Sequence, residues 1–362
     1  NASDEMNDAN NDYIYWAVAK NVPSNTTLAN SFKAITYTGN QSTNSITGVG
    51  FRPDLIWLKE RSGTDRHVLI DSLRGEDSQI SSDSNAAETT YASNFDSFDT
   101  DGFTLGDATE TNGNGETYVG WCWKAGNTWQ SNVDGSSPST VNVNTAAGFS
   151  IVKYVGNQTA GHTIGHGLGA VPEVIILKCL DSVNPWYVYH VGVDASYPAH
   201  YNLRLNATDA RQDSTTEFND TAPTSTVFTL GTTTGTNKTD NEYIAYCWTP
   251  KSGYSNFGSY VGGGNTNPTV NVGFAPDFLM VKKATGTIGG SDGWTIVDSA
   301  RHPGTPTYDN GNVLYANATL AEQDDNDQRG FTITSTGFSP NGNYAPTNSS
   351  GDTYVYMAFK MN

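Results

Sequence analysis

Asp96, Asp99 and Asp101, in FDSFDTDGF, form the set of carboxylates in this chain most suggestive of ion binding. Carboxylate oxygens gathered in a turn before glycine are hard ligands suited to Ca2+, although the twelve-residue spacing and terminal Glu of an EF-hand are absent. The corresponding stretch further on, EQDDNDQRG from Glu322 to Gly330, is also acidic, while EFNDTAP between them has fewer carboxylates, so solvated turns are the competing reading. His162 and His166 stand four apart in GHTIGHGLG, the spacing of a metal pair on one helix face. Their context is a glycine-rich run entering a strand, which makes them turn residues. The remaining histidines, His67, His190, His200 and His302, have no Ser, Cys or carboxylate partner at a recurring position. Nor do paired carboxylates recur as the acid and nucleophile of a glycosidase. Cys122 and Cys247 occupy one repeat position that Ala17 and Ala358 also fill, as a small buried side chain would, and Cys179 lies at a strand end. The expectation is a protein without catalytic residues, hence no enzyme, and without a cofactor other than Ca2+ at the three aspartates.

The elements that must position these residues are repeated. YVGWCWKAG (Tyr118 to Gly126), YIAYCWTPKSG (Tyr243 to Gly253) and YVYMAFKMN (Tyr354 to Asn362) are three copies of one closing strand, and YIYWAVAK (Tyr13 to Lys20) is a fourth with no body before it. Between them recur FKAITYTGNQ, FSIVKYVGNQ and, more loosely, FGSYVGGGN from Phe257. GVGFRPDLIWLK, GLGAVPEVIILK and NVGFAPDFLMVK follow, and then HVLIDSLRG, WYVYHVGVD and WTIVDSARH. The unit, roughly 105 to 125 residues, is the size of a domain rather than of a solenoid repeat. The expected organisation is an N-terminal segment 1–25, a first repeat 26–126, a linker 127–140, a second repeat 141–251 and a third repeat 252–362, each repeat with its own core.

Short aromatic and β-branched runs separated by Gly, Asn, Asp and Pro read as strands joined by turns. NAAETTYASNF near Asn85 is the best candidate for a short helix. In the closing strand Tyr118, Gly120 and Cys122 share one face and Val119, Trp121 and Trp123 the other, and both faces are apolar, as in a sheet covered on two sides. The fold class is therefore all-β, with three tandem antiparallel β-sandwiches of jelly-roll-like size. Asn- and Gly-rich stretches before the closing strands, such as NGNGE from Asn112, suit hairpin turns.

Charged residues are only 15% of the chain and the net charge is −18, which argues against nucleic acid and against an anionic membrane surface. No apolar run approaches the ~20 residues of a membrane span, so no membrane insertion is expected. The opening NASDEMNDANND is polar and acidic and is not read as a signal peptide. Trp129, outside the repeat pattern, is the candidate for stacking on a sugar ring, whereas Trp186 and Trp294 recur and belong to the core.

FKAITYTGNQSTNSITGVGFRPDLIWLKERS, DSLRG, FDSFDTDGFTLG and ETYVGWCWKAG together resemble a repeated domain of unknown function found in virion and appendage proteins of marine tailed phages. The likeness is densest from Phe32 to Gly126, and the middle repeat departs most. It implies a structural role in a virion or outside the cell, as fibre, tail appendage or capsid decoration, with other virion or fibre subunits as partners. The orphan strand, through Tyr13, Ile14, Tyr15, Trp16 and Val18, would then add to a neighbour's sheet edge and build a homo-oligomer or filament, unless it folds back on its own chain or is the remnant of a lost repeat. The second functional reading is an adhesin that binds a cell-surface glycan.

Overall fold

The computed structural model describes residues 31–361 apart from 127, 291, 305–306, 309–311 and 324–329. The orphan strand lies outside the described residues. The chain is all-β, with four four-residue helices among the described residues. In each repeat the closing strand is inserted between the first and third strands of the repeat. The order is Phe32–Thr38, Thr117–Trp123, Leu55–Glu60, Val68–Asp71 in the first, and Phe149–Val155, Glu242–Trp248, Val174–Cys179, Tyr187–His190 in the second. The third runs Ser255–Val261, Thr353–Phe359, Phe278–Lys283, Thr295–Asp298, all antiparallel. Register places Ser255 opposite Phe359, as Phe32 is opposite Trp123 and Phe149 opposite Trp248. The third copy of the opening strand therefore begins two residues before Phe257.

A smaller sheet covers one face of each large one: Asn44–Thr47, Gly102–Leu105 and Ser97–Asp99 in the first repeat, His162–Gly165 and Val227–Leu230 in the second. Ile46, Phe103 and Leu105 pack there on Ile56, Leu58 and Cys122, giving the first repeat a core of its own. The other two repeats have equivalent cores. The opposite faces of the three large sheets meet one another. Trp57, Trp121, Trp123, Trp186, Tyr246, Trp248, Phe278, Trp294 and Phe359 join a single buried cluster drawn from all three repeats. Trp123, Trp248 and Phe359 hold the same position in the three closing strands; the Trp123 ring centroid lies 6.1 Å from Trp248 and 5.8 Å from Phe359. Both faces of the closing strands are thus buried, as the alternation in the sequence requires, but one face serves a core common to the whole molecule.

Polar bonds close these contacts into a ring. The Trp186 indole N–H donates to the Ser81 carbonyl of the first repeat at 2.9 Å, and Trp294 donates to the Arg204 carbonyl of the second at 2.9 Å. The His67 ring, at the same repeat position, bonds the Tyr315 carbonyl of the third at 2.9 Å. Trp57 donates to the other ring nitrogen of His67 at 2.8 Å, so His67 accepts at Nδ1 and donates at Nε2. Burial drives its pKa down to about 3, which keeps this bridge neutral. A second set of bonds, made at Asp71, His190 and Asp298 at the other end of the same strands, joins the same pairs of repeats. Tyr246 donates to Asp71 at 2.8 Å, His190 bonds the Tyr356 carbonyl at 3.0 Å, and Trp121 donates to Asp298 at 2.9 Å.

Several sequence expectations change. The stretch 127–140 is not a free linker: Trp129–Asn132 pairs with Ser139–Asn144, which extends the second repeat's sheet beside Phe149–Val155. Tyr254, just inside the third repeat, lies in the shared core. NAAETTYASNF is not helical, because Glu88 is stretched between two anchors, its N–H to the Leu180 carbonyl at 2.8 Å and its carboxylate to Arg74 at 3.1 Å. Three of the four helices stand instead just before the closing strands, as at Thr109–Asn112, and there the NGNGE stretch makes a turn at Asn114–Gly115 that links helix to strand rather than closing a hairpin. Among the described residues no helix is long and apolar enough to cross a membrane.

Asp298 is fully buried and also accepts from Arg301 Nε at 2.6 Å. Removing it leaves a buried guanidinium and the Trp121 indole without a main acceptor. Asp298→Ala is expected to lower the unfolding free energy of the whole chain by about 3–5 kcal/mol in urea titrations; a loss below about 1 kcal/mol would show that this junction is not holding the repeats.

Candidate functional site

The chemistry-bearing residues that recur are bonded in the same way in each copy. The Tyr37, Tyr154 and Tyr260 hydroxyls donate to the Thr111, Thr236 and Thr347 carbonyls at 2.7, 2.7 and 2.6 Å. Their rings stack on Tyr118, Tyr243 and Tyr354 with centroids 5.1 Å apart in every repeat. Asn112, Asn237 and Asn348, closing the short helices, donate to the Gly106, Gly231 and Gly342 carbonyls at 2.6, 2.7 and 2.6 Å. Lys59, Lys178 and Lys282 are buried and point their ammonium groups at backbone carbonyls, Glu60 O at 2.6 Å, Cys179 O at 2.9 Å and Lys283 O at 2.9 Å. Burial lowers all three to about 8. A lone lysine of that kind would be a nucleophile candidate, but three copies with carbonyl partners form a structural set. The sequence carried the signal, since LK or VK ends each PDLIWLK-type strand, yet the lysines, the Asn clamp and the tyrosine pair were all missed.

Cys122 and Cys247 are buried in the outer cores, and desolvation pushes both thiols well above their ordinary range, so neither is a thiolate at neutral pH. His162 begins a strand and bonds Asn237 Oδ1 at 2.8 Å, while His166 bonds the Thr224 carbonyl at 3.1 Å; separate partners hold the two rings. Asp99 accepts from Ser97 and Thr104 at 2.8 and 2.7 Å, and Asp101 caps the Gly48 and Gly50 amides at 3.2 and 2.5 Å. Asp96 lines a separate hollow with Ser42 and Asp107. Trp129 is 59% exposed on its edge strand.

A different set of carboxylates converges. Glu60, Asp65 and Glu116 bring ligand oxygens within 4.8 Å of one another. Glu60 is buried, held by the Asp65 amide at 3.0 Å and the Ser62 hydroxyl at 3.2 Å. Burial, and then the Glu60 charge, raises the Asp65 pKa. The repeats explain what is unusual here. Glu60 corresponds to Cys179 and Lys283, and Glu116 to Asn241 and Asp352. In the second repeat Asn241 simply donates to the Cys179 sulfur at 3.4 Å, and in the third Lys283 pairs with Asp352 at 2.9 Å. The first repeat therefore sets carboxylates where the third sets an ammonium. Hard oxygens in this number are the kind that could hold a divalent cation.

Asp65 also opens onto a cleft of about 540 Å³ lined by Arg66, Tyr91, Asn94, Thr109, Glu110 and, from the third repeat, Thr319. A second hollow of about 270 Å³ shares Arg66, Tyr91 and Glu110 with it and runs on past Gln79 and Thr89. Glu110 accepts from Gln79 at 3.3 Å and from Asn94 at 3.4 Å, and burial raises its pKa.

Fold and site thus define a threefold-repeated all-β protein whose recurring polar groups are structural and whose first repeat carries an open polar cleft. Residues 27–362 match the DUF7483 model, a domain of unknown function, and the chain belongs to that family. The match runs through all three repeats. No curated protein and no solved structure matches the chain.

Glu60→Lys would reproduce in the first repeat the ion pair that the third already has. It is expected to stabilise the chain by about 1–2 kcal/mol in urea unfolding without divalent cations; destabilisation would mean that the three carboxylates do not repel one another in the native state.

Proposed function

We propose that this protein is a non-enzymatic structural component of a phage virion, a fibre, tail appendage or capsid decoration. The observation that carries the reading is the ring of three sandwiches around one aromatic core, in which the recurring lysines, tyrosines and buried cysteines are engaged in packing and backbone bonds. Such a body presents three similar outer faces on one chain, a form suited to a load-bearing or decorating block. The likeness of the Phe32 to Gly126 motifs to phage appendage proteins supports the same reading. Within it, each unit is taken as a jelly-roll-like sandwich, other virion subunits are the partners, and Tyr13 to Val18 supplies a strand for homo-oligomer or filament assembly.

The test is immunogold electron microscopy of purified particles from the phage whose genome encodes this chain, with antiserum raised against residues 27–362. Regular labelling of an appendage or capsid surface is the expected result. Abundant protein in the lysate with unlabelled, antigen-free particles would refute the proposal.

A further inference from the structure

In the second repeat the corner that corresponds to this cleft is filled, as the aligned positions show. Val68, Glu110 and Asn94 correspond to Tyr187, Gly235 and Glu217. In the second repeat the Tyr187 ring lies so close to Gly235 that no Cβ would fit there. Tyr187 fills that corner, whereas the small Val68 leaves it free and Glu110 reaches into it. The cavity is therefore a property of this copy's side chains, not of the shared backbone.

Its lining is a set of directed polar groups with one aromatic lip. Arg66 and Gln79 supply donors, and Asp65 and Glu110 supply acceptors. Asn94 is only 1% exposed, its amide nitrogen donates to Gln79 Oε1 and Glu110, and its carbonyl oxygen Oδ1 has no hydrogen-bond partner. A buried acceptor left unmet destabilises the free protein. Tyr91 lines both hollows and is 54% exposed. Two carboxylates on the wall, in a chain of net charge −18, disfavour an anionic ligand, and the cation on the wall, Arg66, is already paired with Asp83 at 3.4 Å. Hydroxyl groups, which donate and accept, match both kinds of wall, and a flat apolar ring face matches Tyr91.

We propose that this cleft binds a neutral saccharide, with Tyr91 stacking on a sugar ring and Asn94, Glu110, Gln79 and Arg66 reading its hydroxyls. The site is distinct from Trp129, which lies on the second repeat's edge strand. It does not depend on a virion role.

The test is saturation-transfer NMR of the intact chain with maltotriose, a galactose disaccharide, mannotriose and chitotriose, with spermidine and heparin as charged controls. At least one neutral probe is expected to bind, with affinity falling about tenfold in Tyr91→Ala and also falling in Glu110→Gln, while Trp129→Ala binds as the parent does. Circular dichroism of each variant confirms that it is folded. Absence of binding by all four neutral probes, binding of spermidine or heparin only, or saccharide binding that is lost in Trp129→Ala but kept in Tyr91→Ala would each overturn the assignment.

Discussion

Burial of one aromatic face from each of three sheets against the other two is the constraint from which the rest of this structure follows. A sheet whose closing strand reads Val-Gly-Trp-Cys-Trp, apolar on both sides, cannot stand as one half of a solvated sandwich. One face takes the repeat's own small sheet, and the other must find a second large sheet. With three copies on a chain the solution is a closed ring, and indole and imidazole N–H groups at one repeat position each find a carbonyl in a neighbouring repeat. Truncating a buried Trp or Phe removes about 3–5 kcal/mol, so a cluster built of many such rings binds the repeats far more firmly than short connecting segments would.

Much of this was written in the sequence, and what was not has a physical reason. Strand period, repeat order and the small buried position at Cys122, Cys247 and Ala358 were legible because they depend on local pattern alone. The closed ring was not, since Trp186, Trp294 and His67 do the same task with different side chains, and nothing local tells a residue buried within a repeat from one buried between repeats. The stretch read as a linker was misjudged because its residues join a sheet: Trp129–Asn132 pairs with Ser139–Asn144, which lies beside Phe149–Val155. At the site, Asp96, Asp99 and Asp101 looked like a cluster because they are neighbours along the chain. The convergent group, Glu60, Asp65 and Glu116, is assembled by strand pairing across more than one loop.

The repeats also act as controls on one another. Wherever all three copies make the same bond, as with the tyrosine pairs, the asparagine clamps and the buried lysines, the residue is explained by the fold. Function is to be sought where one copy departs. By that criterion the first repeat stands out twice, in the carboxylates that replace the Lys283 to Asp352 pair and in the cleft whose corner Tyr187 fills in the second repeat. The two features share Asp65, which places the distinctive chemistry of the molecule on one side of one repeat.

The most direct test of the ring is differential scanning calorimetry of residues 27–362 under reversible conditions. If the central cluster makes the three repeats one cooperative body, unfolding is a single transition whose calorimetric and van't Hoff enthalpies agree. Two or three resolved transitions, or a calorimetric enthalpy several times the van't Hoff value, would mean that the repeats unfold as independent domains and would contradict the account.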